Sequence, residues 1–110
     1  MNDQASRVAP VIVALPAEID VTNSDQVYDR LVAALAPGVQ IVIADLTSTS
    51  FCDSSGVRMI ARAYESAAAR DVRLELAVPL EGSVRRVLQL TGVGSLMAIY
   101  PSLEEAINAG

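Results

Sequence analysis

The chain has 110 residues, 52% of them hydrophobic, and a formal net charge of -5. That length suits one domain with its own core, and that composition excludes an extended disordered chain. The acidic balance, without a concentrated basic stretch, argues against a nucleic-acid partner and for a protein one.

Missing residue types narrow the chemistry further. There is no histidine, and Cys52 is the single cysteine. The usual zinc ligand sets and the Ser-His-Asp and Cys-His arrangements therefore cannot be assembled, and no metal or cofactor is expected. Neither the GxGxxG nor the GxxxxGK phosphate loop occurs. A lone cysteine fits a reducing compartment. No run is long and apolar enough to span a bilayer, and the start of the chain lacks a signal-peptide pattern, so a cytoplasmic location without membrane insertion is expected.

In chain order, Met1 to Arg7 is polar and is expected to fray. Val11 to Leu15 is rich in β-branched residues and stopped by Pro16, which predicts a strand. Residues 17–21 read as a link. Asn23 followed by Gln26 has capping-box spacing, and Val27, Leu31 and Leu35 recur every fourth residue, predicting a helix to about Ala36 before Pro37-Gly38. Val39 to Leu46 is near-continuously apolar, the pattern of a central strand.

Phe51-Cys52-Asp53-Ser54-Ser55-Gly56-Val57 then leads from a strand end into an amphipathic helix. The unpaired N–H groups of a helix start and its positive dipole end can accept a phosphate, which makes Ser54 or Ser55 a candidate modification site. Asp and Ser also cap helices for purely structural reasons. Downstream, Val57, Ile60, Ala61, Tyr64 and Ala68 predict the buried stripe, leaving Arg58 and Met59 off it as contact or ordinary solvated surface.

Val72 to Val78 alternates apolar and polar, predicting a strand near a sheet edge. Ser83 to Thr91 predicts a short helix with Gly92 as its left-handed cap. Met97 to Tyr100 predicts a last short strand, and Ser102-Leu103-Glu104-Glu105 a capping box opening a final helix with Leu103, Ala106 and Ile107 inward. Strands alternating with helices predict a single α/β domain over residues 1–110, with a mixed sheet of about four to five strands covered by about four helices.

This order of elements and three local motifs resemble the STAS domain family. Pro16-Ala17-Glu18-Ile19-Asp20 is similar to its Gly-Glu-Leu-Asp turn, Val42 to Leu46 to its central strand, and Phe51 to Val57 to its Phe-x-Asp-Ser-Ser-Gly-Leu loop. Leu90-Thr91-Gly92-Val93 is similar to the late helix ending of the family. The chain departs from the pattern at Ala17, where glycine is usual, and in an N-terminal segment short and polar for a first strand.

Within the family, the chain is most similar to stand-alone anti-sigma factor antagonists. That resemblance implies that Ser54 is phosphorylated by an anti-sigma factor that is a serine kinase, with Ser55 the runner-up acceptor. It implies that the unmodified protein binds the kinase and frees the sigma factor in a stress or sporulation pathway, that phosphorylation ends the binding, and that a serine phosphatase restores it. Asp20, Asp53, Ser54, Ser55, Gly56, Val57, Arg58 and Met59 are the candidate partner-binding residues.

Duller readings stand beside these: Asp20 as a strand-ending turn, Asp53 as a cap, Gly56 as a packing contact and Cys52 as a buried structural thiol. A module without a phosphoswitch, serving as a structural or ligand-binding subunit of a transporter or signalling assembly, is the alternative function. An enzyme using Cys52 or Ser54 has no general base of the usual kind nearby.

Overall fold

A computed structural model describes residues 8–109. Residues 1–7, and with them the expected frayed start and the place of any first strand, lie outside the described residues. The elements run β1 (Val11–Ala14), β2 (Glu18–Ile19), α1 (Ser24–Ala33), β3 (Ile41–Asp45), β4 (Phe51–Cys52), α2 (Ser54–Ala69), β5 (Arg73–Ala77), α3 (Ser83–Thr91), β6 (Ile99–Tyr100) and α4 (Leu103–Asn108), with a 3-10 turn at Val93–Ser95.

Four strands form a sheet in the order β1-β3-β5-β6, and β2 and β4 form a separate two-stranded ladder. Every pairing among the described residues is parallel, so the antiparallel pair that a mixed sheet requires is not among them. Parallel strands need crossovers that cover the sheet, and the helices provide them. Val13, Val42, Ala44, Leu74 and Leu76 point into the main core, which they share with Val27 and Leu31 of α1, Ile60 and Ala63 of α2 and Leu88 of α3. Ile41, Ile43 and Ala77 point the other way, beneath Leu103 and Ala106 of α4.

The apolar run around β3 sits between β1 and β5, as a central strand should. β5 lies next to the edge strand β6, which pairs only with Leu76 and Ala77, but the face expected to tolerate charge is closed, and Glu75 on it is only 1% exposed. Its carboxylate lies 3.5 Å from the Arg73 guanidinium. Alternation here reflects two differently packed faces, the second closed by the short β6 and α4.

Two helix readings also shift. In α2 the buried residues are Gly56, Val57, Met59, Ile60, Ala63 and Ala67, whereas Ala61 and Tyr64 are half-buried and Ala68 is exposed. Alanine is small and indifferent to exposure, so an alanine-rich helix does not mark its inner face by hydropathy. In α4, Ala106 is buried but Ile107 is 38% exposed, because one turn and a half of helix presents only a narrow face. α3 and its cap stand where expected, with Gly92 in the left-handed region at φ 78°.

Candidate functional site

Because the strands of the main sheet are parallel, the segments after β1, β3 and β5 all leave from one end. This is the end where open α/β sheets build their binding sites. There β1 runs into Pro16-Ala17, and β3 into Thr47 to Ser50, and side chains stitch the two segments together. The Thr49 hydroxyl donates to the Pro16 carbonyl at 2.8 Å, and the Ser50 amide to the Ala17 carbonyl at 2.8 Å. Those ties set β2 beside β4, with Glu18 opposite Phe51 and Ile19 opposite Cys52.

The ladder ends where the candidate residues begin. The Asp53 amide donates to the Ile19 carbonyl at 3.2 Å, so Asp20 and Asp53 emerge as neighbouring positions from the two strands. Asp53 is the N-cap of α2, its Oδ1 accepting from the Ser55 amide at 2.8 Å and from the Gly56 amide at 3.3 Å. Ser54 therefore opens the helix with an exposed hydroxyl, while Ser55 is half-buried and turned toward α1.

Asp20 closes a turn. Its Oδ1 accepts from the Thr22 hydroxyl and from the Thr22 amide, and these two bonds hold its carboxyl below the usual carboxylate range. Asn23 does not cap α1 with its side chain as its spacing suggested. Its Oδ1 accepts from the Asp20 amide at 3.0 Å and its Nδ2 donates to the Glu18 carbonyl at 2.8 Å, so it locks the turn instead.

Gly56 lies where α2 passes closest to the ladder. A Cβ there would stand 2.5 Å from Cys52 Sγ and 2.9 Å from Ile19 Cγ2, so close packing requires glycine. Cys52 is buried, and that burial, followed by the charge of Asp53, pushes its thiol up to about 11. At neutral pH it is a packing group, not a nucleophile.

The eight candidate residues divide by access. Ser54 and Arg58 are exposed, and Asp20, Asp53 and Ser55 are half-buried at the same end. Gly56 and Val57 are buried beneath them, and Met59 is a correction: it is 2% exposed and belongs to the main core rather than to a contact surface. Its side chain fills the space between α1 and α2 because the true inner face of α2 includes it.

Sequence reasoning passed over three contributors. The ladder itself has two residues per strand, too short for any periodic signal. Val21 and Phe51 are 76% and 47% exposed on the segments flanking the acceptor helix, a surplus of apolar surface visible only once the fold is known. Arg62 pairs with Asp25 at 3.7 Å and stacks 4.2 Å over the Tyr28 ring, tying α2 to α1 behind the site.

A small parallel sheet with helices on both faces, carrying an exposed serine at a capped helix start, defines a compact α/β domain of the open-sheet class. The family model of the STAS domain matches residues 2–106, and the chain belongs to that family. No match is found among the curated proteins. An anti-sigma factor antagonist from Mycobacterium paratuberculosis superposes with a TM-score of 0.82 at 23% identity, over 96% of this chain and 88% of that one. SpoIIAA, an anti-sigma factor antagonist, is 30% identical in two solved states. Its unphosphorylated form superposes with a TM-score of 0.72 over 90% of this chain and 85% of that one. Its phosphorylated form, from Bacillus, superposes with a TM-score of 0.65 over 90% and 88%. The murine anion transporter Slc26a9 contains a similar unit, with a TM-score of 0.74 at 20% identity, over 94% of this chain but 18% of the transporter. Among the described residues no helix is long and apolar enough to cross a membrane.

Proposed function

We propose that this protein is a cytoplasmic anti-sigma factor antagonist that acts by binding, and that it is switched by phosphorylation of Ser54. In this reading the unmodified form holds a serine-kinase anti-sigma factor and frees the sigma factor. The kinase then phosphorylates Ser54 and is released, and a serine phosphatase resets the cycle, as in a stress-response pathway. The observation that carries the reading is the exposed hydroxyl of Ser54 at the Asp53-capped start of α2, beside Asp20. Kinship with SpoIIAA, which has been solved in both phosphorylation states, supports it.

The chemistry follows from charge. A phosphate adds about -1.5 to -2 charges and three acceptor oxygens at neutral pH. The first turn of α2 satisfies part of that locally, but Asp20 and Asp53 already make this end acidic. Like charges in a desolvated contact cost several kcal/mol, a change of orders of magnitude in affinity. Release therefore needs no refolding. Val21 and Phe51 supply apolar contact area around the charged centre, and Arg58 a cation. Binding of the purified protein to its anti-sigma kinase, measured by calorimetry, should be lost in Ser54→Asp and kept in Ser54→Ala. Equal affinity of Ser54→Asp and wild type would sink the charge mechanism.

The likeness to part of Slc26a9 favours one other reading, a subunit of a transporter or signalling assembly without a phosphoswitch. Mass spectrometry of the protein from its native cells separates the two. Absence of phosphate on both Ser54 and Ser55 across growth conditions selects the second.

A further inference from the structure

We propose that Arg58 is the built-in counter-ion of a phosphate carried by Ser54. The inference rests on the reading of Ser54 as phosphoacceptor and adds the residue that holds the modified state. Both side chains are exposed on α2, four residues apart. On a helix surface that spacing brings Cβ atoms to about 5–6 Å of each other. Side chains in a helix also lean toward its N-terminus, so an arginine at position 58 reaches back over the turn that begins with Ser54.

What singles out Arg58 is that its guanidinium is not engaged by any of the described residues. Among the described residues, neither of the ion pairs involves it. Three other arginines are occupied. Arg62, one turn further along, is held by Asp25 and the Tyr28 ring. Arg30 donates to the Ala14 carbonyl, and Arg85 to the carbonyls of Val78 and Pro79. The nearest carboxylate on the same helix start, Asp53, has one oxygen committed to the Ser55 and Gly56 amides. A phosphoryl group on Ser54 thus meets a planar, two-pronged donor one turn along its own helix, the geometry that binds phosphate best.

The consequence is a double change at the docking surface. Phosphorylation adds negative charge and at the same time folds Arg58 back onto its own chain, removing a cation that the partner meets in the unmodified form.

The test is a titration. Phosphoserine is placed at position 54 during translation of the full chain, and its second ionisation is followed by phosphorus NMR. Arg58→Gln should raise that pKa by about half a unit relative to wild type, and the difference should shrink in about half-molar salt. Arg58→Lys, which keeps the charge, should retain most of the wild-type depression, and Arg62→Gln should not move it. An unchanged titration in Arg58→Gln, or an equal shift in Arg62→Gln, overturns the assignment. Equal melting of unmodified wild type and Arg58→Gln checks that the fold is intact. Because the phosphate is installed without a kinase, the titration answers for Arg58 whether or not any kinase modifies Ser54.

Discussion

The four-stranded sheet and the two-stranded ladder beside it grow out of the same crossovers, yet they are held by different physics. In the sheet, Val42, Ile43, Ala44 and Leu76 on the two central strands are fully buried, with core packed on both faces of them. In the ladder only Ile19 and Cys52 are buried, and position is set by individual polar ties: Thr49 to Pro16, Ser50 to Ala17, Asp53 to Ile19 and Asn23 to Glu18. Area stabilises the first, and geometry specifies the second. Ser54 stands where the two meet, exposed at the first position of a helix whose later turns fill the core.

Substitutions at the junction sharpen the contrast, and the largest effect belongs to the core side. Met59→Ala should lower unfolding free energy by about 3 kcal/mol in chemical denaturation, since it removes a buried side chain between α1 and α2. A loss below about 1 kcal/mol would return Met59 to the surface.

Gly56→Ala tests the contact between the two parts. The added methyl meets Cys52 and the stiff Ile19 side chain, so a loss of about 2 kcal/mol is expected. Pairing it with Cys52→Ala should recover part of that loss, and a strictly additive double mutant would rule out the clash as the cause.

Asp53→Ala should cost about 1 kcal/mol by removing the cap, whereas Asp53→Asn keeps an acceptor and should stay near wild type in stability. Weaker kinase binding by Asp53→Asn at unchanged stability would assign the charge itself to recognition.

The smallest effects are on pH. The Asp20 carboxyl is held below its ordinary 3.8 by Thr22, so its contribution is present above that pH and is lost as pH falls through the lowered value. Thr22→Val should therefore flatten the acid limb of a stability-versus-pH curve. Cys52 shows the opposite sign. With its thiol pushed up to about 11 from 9.0, its contribution is full below pH 9.0 and fades as pH rises toward 11. Alkylation by iodoacetamide in the native state should stay slow through neutral pH.

Much of this was legible in the chain. The apolar run at β3, the Gly92 cap and the Ser102 capping box reappear as read, because each signal is local; Val27, Leu31 and Leu35 are buried as spaced, but α1 ends at Ala33, short of the expected Ala36, and Leu35 lies beyond its cap. The readings that moved depend on what lies across the fold. Alternation in β5 does not reveal that the face carrying Glu75 is buried, and Met59 counts as off-stripe until α1 is seen against it. Asn23 and Gln26 spell a cap that the structure does not use, since Asp20 and Glu18 offer Asn23 a better set of partners.

By itself the sequence determined the alternation of strands and helices and the place of the Asp53-Ser54-Ser55-Gly56 turn at a helix start, because hydrophobic period and capping chemistry act over a few residues. It also set Arg58 off the buried stripe, as the structure has it, but set Met59 there too. Only the tertiary structure decided that Asp20 and Asp53 emerge from neighbouring strands, that Ser54 stands clear of the core and that Met59 faces in. Those facts depend on β2 pairing with β4, on Gly56 lying against Ile19 and on α1 packing against α2, all contacts between segments distant in the chain.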